Sequence, residues 1–263
     1  MKKYFRDQFS WNRFKLEHEE AWDFYLCCWQ RNRSPLPLLL VRLIVFLGCL
    51  SILVTSMVMT GQLVNVGYWF IYMTHWGLIL ITVTAGLAFV VSARAYFRGP
   101  IDSTFGVPWY LKSYWAAYNV TLPTAFFITI FYYILLTDLG EQYSVDPVLD
   151  LFIHGINSVL MFVLLLTSQH PFYLLHFYQA LAFALVYMVF SIIYFFSGGL
   201  SPIGERWIYP MIDWSDPGPT VGIIFVCAAG LIIMHSLVAL LTVCRDYISK
   251  KYVRNMNSMT IAP

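Results

Sequence analysis

Six long apolar stretches dominate the chain, and its polar positions gather between them. A helix that crosses the hydrocarbon core of a bilayer needs about 20 mainly apolar residues. The stretches run from about Leu36 to Met59, Tyr68 to Ala93, Tyr114 to Leu136, Pro147 to Thr167, Phe172 to Phe196 and Thr220 to Val243. Their ends carry helix punctuation. Ser34 and Pro35 supply a cap and a first-turn proline before the first stretch. Asp146 is placed to cap the fourth, and Gly198 with Gly199 suits the C-terminus of the fifth. Pro123 predicts a kink in the third, because proline removes a backbone donor and crowds the preceding turn. The expected fold is an all-α integral membrane protein, a bundle of six transmembrane helices. A segment 1–35 precedes the bundle at 36–243, and a tail 244–263 follows it.

Lysine and arginine tell the two sides apart. Before the first span stand Lys2, Lys3, Arg6, Arg13, Lys15, Arg31 and Arg33. The second connection holds Arg94, Arg98 and Lys112, and the tail holds Arg245, Lys250, Lys251 and Arg254. The other side has only Arg206 and gathers Asp138, Glu141, Asp146, Glu205, Asp213 and Asp216. Short loops rich in lysine and arginine stay in the cytoplasm, so both termini are expected there. Glycosylation triplets at Asn32 and Asn119 then face the wrong side for modification. The first apolar run begins too late for the core of a cleavable signal peptide.

Composition agrees with the pattern. The chain is 59% hydrophobic and 11% charged, against about 25% charged for soluble domains. A net charge of +2 gives no reason to expect a nucleic acid partner; the expected partners are membrane lipids. Cys49, Cys227 and Cys244 lie in or beside apolar runs, where cysteine behaves as a small hydrophobe. Cys27 and Cys28 precede the first span on the expected cytoplasmic side, where thiols stay reduced. Juxtamembrane cysteines of this kind are candidates for palmitoylation. Phe14 to Trp29 alternates charged and aromatic residues and reads as a short helix lying on the membrane.

Ionisable groups inside a span are costly and mark function by default. Here they are Arg42, His75, Asp150, His154 and His235, with Thr74, Asn119 and Asn157 as polar companions. Spans two and four both enter from outside, which puts Thr74 and His75 about 9 Å deep and His154 about 10 Å deep by the helical rise. Asp150 lies one turn before His154, and Asn157 lies three residues after it, so all three share a helical face. A hydroxyl, an imidazole and an orienting carboxylate are the parts of an activated nucleophile. A different chemistry uses the histidines alone: His75 and His154 in one leaflet, with His176 and His235 in the other, have the arrangement of ligands to two haems. Interhelical hydrogen bonding by isolated histidines is the plainer alternative. Arg42 is expected to snorkel to the inner interface, and Asn119 to join helices. The last exterior connection, Gly198 to Pro219, carries Trp207, Tyr209 and Trp214, either as an interfacial belt, as a lid over an outer cavity, or as both.

Four segments carry a family resemblance: Cys28-Trp29-Gln30-Arg31, Tyr72-Met73-Thr74-His75-Trp76-Gly77, His154-Gly155-Ile156-Asn157 and Trp207-Ile208-Tyr209-Pro210. In order and spacing the set resembles the rolling stone family along nearly the whole chain. That resemblance implies a multipass plasma-membrane protein acting in myoblast fusion during muscle development. More widely, the chain is similar to the androgen-induced membrane protein family. Members of that family include intramembrane hydrolases that split esters of hydroxy fatty acids with a threonine and a histidine. Thr74, after Tyr72 and Met73, and His154, before Gly155, stand at the matching positions. The hydrolases tend to carry His-Gly-x-His-Thr, whereas Asn157 replaces the second histidine here. Two expectations follow. One is a fusion protein whose exterior loop, Gly198 to Pro219, meets a protein partner. The other is a lipid-ester hydrolase with Thr74 as nucleophile, His154 as base and Asp150 or Asn157 as its orienter. Neither needs a cofactor or a metal.

Overall fold

The computed structural model describes residues 8–136 and 146–260, with side chains as far as Val253. Lys2, Lys3, Arg6, Asp138 and Glu141 of the charge pattern lie outside the described residues, as does the side chain of Arg254. Six helices are long and apolar enough to cross a membrane. They are α1 (Leu36–Leu63), α2 (Met73–Arg98), α3 (Trp109–Phe131), α4 (Pro147–Thr167), α5 (Phe177–Phe196) and α6 (Pro217–Thr260). A π-helical turn, Tyr132–Leu136, continues α3, and another, Phe152–Ile156, interrupts α4. The chain is a multipass integral membrane protein.

The core follows from α3, which packs against α2, α4, α5 and α6, while α1 closes the bundle against α2 and α4. Its buried side is rich in aromatic and aliphatic groups, among them Leu111, Tyr114, Trp115, Tyr118 and Leu122. In lipid, helices do not associate by excluding water, so close packing and interhelical hydrogen bonds hold them together. Pro123 does not end α3. Thr121, Thr124 and Thr129 bond back to carbonyls one turn earlier. Asn119 joins α3 to the start of α5, its amide 2.8 Å from His176 Nδ1 and 3.2 Å from Gln179 Oε1.

Several elements depart from the sequence pattern. The run before α2 is a 3-10 turn, Val66–Ile71, capped by the Asn65 side chain, which accepts from Gly67 N–H at 2.8 Å. Thr74 therefore sits in the first turn of α2 and not deep within it. The last helix does not stop at Val243 but runs to Thr260, so the expected tail is largely helical. The stretch Phe14 to Trp29 is not a helix lying on the membrane. The N-terminal segment forms two short 3-10 turns, Trp11–Phe14 and Ala21–Phe24, and tucks under the bundle. Phe24 is fully buried, stacked on His170 and edge-on to Trp115. The hydrophobic side chains of this segment find a core to enter, which outweighs any surface position.

Arg42 corrects another expectation. It does not snorkel; it is fully buried. Its guanidinium donates to the carbonyls of Phe24 (2.7 Å) and Ala88 (3.1 Å) and to the hydroxyls of Ser92 (2.9 Å), Tyr114 (3.2 Å) and Ser168 (3.4 Å). The planar fork offers five donors in fixed directions, against three on an ammonium group. Arg245 works nearby, donating to the carbonyls of Leu165 and His170 at 3.1 Å each. Trp29 Nε1 donates to the Leu166 carbonyl at 2.7 Å. The carbonyls of the last turn of an α-helix lack partners within it; in α4 Arg245 meets that of Leu165, Trp29 that of Leu166 and the Cys28 N–H that of Thr167. A cation there also meets the negative end of the helix dipole. Substituting Arg42→Met leaves the Phe24 carbonyl without its donor, removes the bonds to the Ser92, Tyr114 and Ser168 hydroxyls, and is expected to cost on the order of 3 kcal/mol. The readout is the melting temperature of the detergent-solubilised chain; an unchanged value would show that the network adds nothing net.

Candidate functional site

One cavity lies at the end of the bundle opposite the N-terminal segment, and a second adjoins it and extends along α5 to Tyr178. The first, of 260 Å³, is lined from α1, α2, α3, α4 and the 198–216 loop, and it contains Thr74, His75, Tyr132, Asp150, His154 and Tyr209. The second, of 510 Å³, lies among α3, α5 and α6 and is walled by apolar side chains such as Phe127, Leu181, Leu185 and Leu231. Thr74, Tyr132, Leu136 and Tyr209 line both. The threonine thus stands on the boundary between a polar chamber and an apolar one.

The position of Thr74 gives it unusual neighbours. The first backbone N–H groups of a helix lack partners within it, and α2 has no side-chain cap from Tyr72. The Tyr209 side chain reaches this helix start from the loop, packing edge-on to Tyr72 and interacting with Thr74, the Met73 backbone and Tyr187. Burial pushes the Tyr209 phenol above its usual pKa, and these interactions oppose the shift.

Both histidines of the chamber are held in one tautomer. His154 Nδ1 lies 3.1 Å from the carbonyl of Asp150, and His75 Nδ1 lies 2.6 Å from the carbonyl of Trp69. A carbonyl only accepts, so Nδ1 carries the proton in each ring and Nε2 keeps its lone pair. Aromatic faces fix the ring planes. His154 stacks on Tyr132 at 3.5 Å between centroids, and His75 stacks on Trp69 at 4.3 Å. Trp69 is itself buried and anchored, its Nε1 donating to Ser56 Oγ at 2.9 Å. The π-helical turn around His154 diverts its carbonyl to the Thr129 hydroxyl.

Two expected orienting groups are corrected. Asp150 aligns His154 through its backbone carbonyl, and its carboxylate instead accepts from the Tyr132 hydroxyl at 3.3 Å. Asn157 lines neither cavity; it is buried, and its amide donates to the Ile153 carbonyl at 2.8 Å. The π-helical turn adds a residue between them and rotates the following helix, so the three-residue spacing no longer means a shared face. Of the other histidines, His176 pairs with Asn119, and His235 Nε2 lies 3.0 Å from the Tyr173 carbonyl. These are interhelical hydrogen bonds of the plain kind. Among the described residues no group of three or more His, Cys, Asp or Glu is placed to hold a metal ion.

The 198–216 loop is a lid. Pro202, Ile203, Tyr209 and Pro210 line the first cavity. Trp214 Nε1 donates to Ser191 Oγ at 3.2 Å, and Tyr209 packs edge-on to Tyr72. The roles of Tyr209 and Tyr132 escaped sequence reasoning, since each acts across a long separation along the chain.

A family model described as Protein rolling stone matches residues 1–261. The chain belongs to the rolling stone family. Protein rolling stone of Drosophila melanogaster is 30% identical over 219 residues, covering 80% of this chain and 75% of that protein. No solved structure matches the chain.

At the other end of this rolling stone family member, the two adjacent cysteines differ. Cys28 is buried and its Sγ lies 3.2 Å from the Leu166 carbonyl, whereas Cys27 is half-buried. The Cys28 thiol is also hydrogen-bonded to the Cys27 sulfur. This hydrogen bond holds Cys27 below the usual thiol pKa, helped by Arg42 and Arg245, and the same bond with burial pushes Cys28 up. The thiolate is the reacting form, so maleimide labelling of Cys27 is expected to persist below the pH at which ordinary thiols stop reacting. It is lost only as the pH falls through the lowered pKa. Mass spectrometry of the native chain is expected to find Cys27 labelled and Cys28 labelled only after denaturation; equal labelling of both would contradict this geometry.

Proposed function

We propose that this rolling stone family member is an intramembrane hydrolase of lipid esters, with Thr74 as nucleophile and His154 as base. One observation carries the reading: Thr74 and His154 line the same 260 Å³ chamber, while Thr74 also faces a 510 Å³ apolar cavity suited to an acyl chain. His154 Nε2 takes the proton of the Thr74 hydroxyl as Oγ bonds to the acyl carbon. The proton then passes to the departing alcohol oxygen as its bond to that carbon breaks. A water attacks the acyl-threonine, His154 takes its proton, and Thr74 leaves with that proton, releasing the fatty acid. Negative charge on the acyl oxygen is met by the N–H groups that open α2, in the manner of an oxyanion hole. Tyr209 lies beside those groups, so substrate enters next to the loop.

Lysine and arginine on the side of the termini support a cytoplasmic location for both chain ends and an exterior lid, in keeping with a plasma-membrane protein. The family resemblance supports a second reading, action in myoblast fusion during muscle development. The two are compatible, because fusion depends on local lipid composition.

A lipophilic fluorophosphonate probe is expected to label the purified wild-type chain. Thr74→Ala abolishes the signal, and His154→Ala slows it about 100-fold or more. A folded wild type that fails to label would overturn the hydrolase reading. In cultured myoblasts, Thr74→Ala at wild-type surface level is expected to reduce fusion. Full fusion in that variant, with loss in a Trp207→Ala variant, would assign fusion to the lid surface and not to hydrolysis.

A further inference from the structure

The apolar cavity has a length as well as a volume. Tyr187 of α5 stands level with the start of α2, because its hydroxyl donates to the Ile71 carbonyl at 2.8 Å. From Tyr187 the cavity follows α5 as far as Tyr178, a helical rise of roughly 14 Å. The last helix, α6, gives the same limit by a separate route. His235 Nε2 lies 3.0 Å from the Tyr173 carbonyl, which puts His235 level with the approach to α5. Leu231, one turn nearer the loop, is the deepest residue of α6 that lines the cavity, and it is buried. Beneath it His235 packs against Phe172. One leaflet of the hydrocarbon core of a bilayer is about 15 Å deep, so the cavity has the length of one membrane-lipid chain. Its 510 Å³ falls within the about 300–1,000 Å³ of sites that hold one small ligand.

Small side chains keep the middle of this path clear. Ala184 lines it about 5 Å further in than Tyr187, and Ala228 lines it about 5 Å short of Leu231. The flank meets lipid, since Leu185 lines the cavity on a spanning helix and is 55% exposed. Resting on the hydrolase reading, we propose that the substrate is an ester of a long-chain fatty acid, with an acyl group the length of a membrane-lipid chain. The ester carbonyl lies at Thr74, and the chain runs between α3, α5 and α6 to Leu231. Ala184 and Ala228 determine this specificity, because a larger side chain at either position fills the path. Water adds across the acyl–oxygen bond, giving the long-chain acid and the free alcohol. A short acyl group makes few of the packing contacts that the walls offer.

The test compares the palmitoyl and butyryl esters of umbelliferone, with the full-length chain in lipid nanodiscs. The wild type is expected to hydrolyse the palmitoyl ester, and Thr74→Ala removes turnover of both. Ala184→Phe and Ala228→Phe are each expected to lower the palmitoyl-to-butyryl ratio of kcat/KM by about tenfold or more, because the added ring overfills the path of the long chain. A ratio, unlike a rate, does not move when part of a variant fails to fold. Thr74-dependent turnover confined to the butyryl ester, or a ratio unchanged in both variants, overturns the inference while leaving the hydrolase reading standing. Absence of any Thr74-dependent turnover overturns both.

Discussion

A guanidinium group without water is the constraint around which this bundle is arranged. Arg42 lies wholly inside the protein and meets five neutral oxygens drawn from the N-terminal segment, α2, α3 and the end of α4. Bringing a cation out of water is expensive unless its donors are satisfied. Each acceptor must therefore stay where it is, which ties four parts of the chain to one side chain. The N-terminal segment becomes part of the fold for the same reason, since the Phe24 carbonyl is one of the five. Arg245 and Trp29 extend the arrangement to the exposed carbonyls of α4. In a bilayer an unmet backbone group has no water to turn to, so long-range side-chain donors replace the usual capping turns.

With that end locked, the interruptions within the spanning helices gather at the opposite end. There α2 begins late, α3 finishes in a π-helical turn, and α4 is interrupted by a second one. Non-helical geometry is tolerated at membrane depth only where it lines a cavity or is buried in protein, and both conditions hold here. The π-helical turns lie beside the chamber: one carries His154 and the other carries the tyrosine that stacks on it. Single π-helical turns within α-helices are often found at functional sites. The rigid end and the irregular end thus divide stability from chemistry along the bundle axis.

The chamber gathers its parts by different routes. Thr74 and His75 arrive together because α2 starts just before them, and Trp69, held by Ser56, fixes the plane of His75. His154 is aligned by the backbone carbonyl of Asp150, while the carboxylate of that residue accepts from Tyr132. The lid supplies Tyr209, which lies beside the start of α2. The site is thus built from four helices and a loop, each contributing a separate part of its wall.

Sequence alone determined the membrane character, the six spans and the polar residues to suspect. Each of these depends on local composition and spacing, and a bilayer penalises exceptions severely. Thr74 and His154 could be named because a hydroxyl and an imidazole stand out within apolar runs. Only the tertiary structure decided what those residues do together. Asn157 had the right spacing, yet a π-helical turn removed it from the chamber. Arg42 had the reach to snorkel, yet acceptors far away in sequence made burial the better solution. Tyr209 became part of the site through a contact across more than half of the chain. Periodicity reports the average environment of a position. The partner of a buried polar atom is a single atom elsewhere, and no local pattern encodes it.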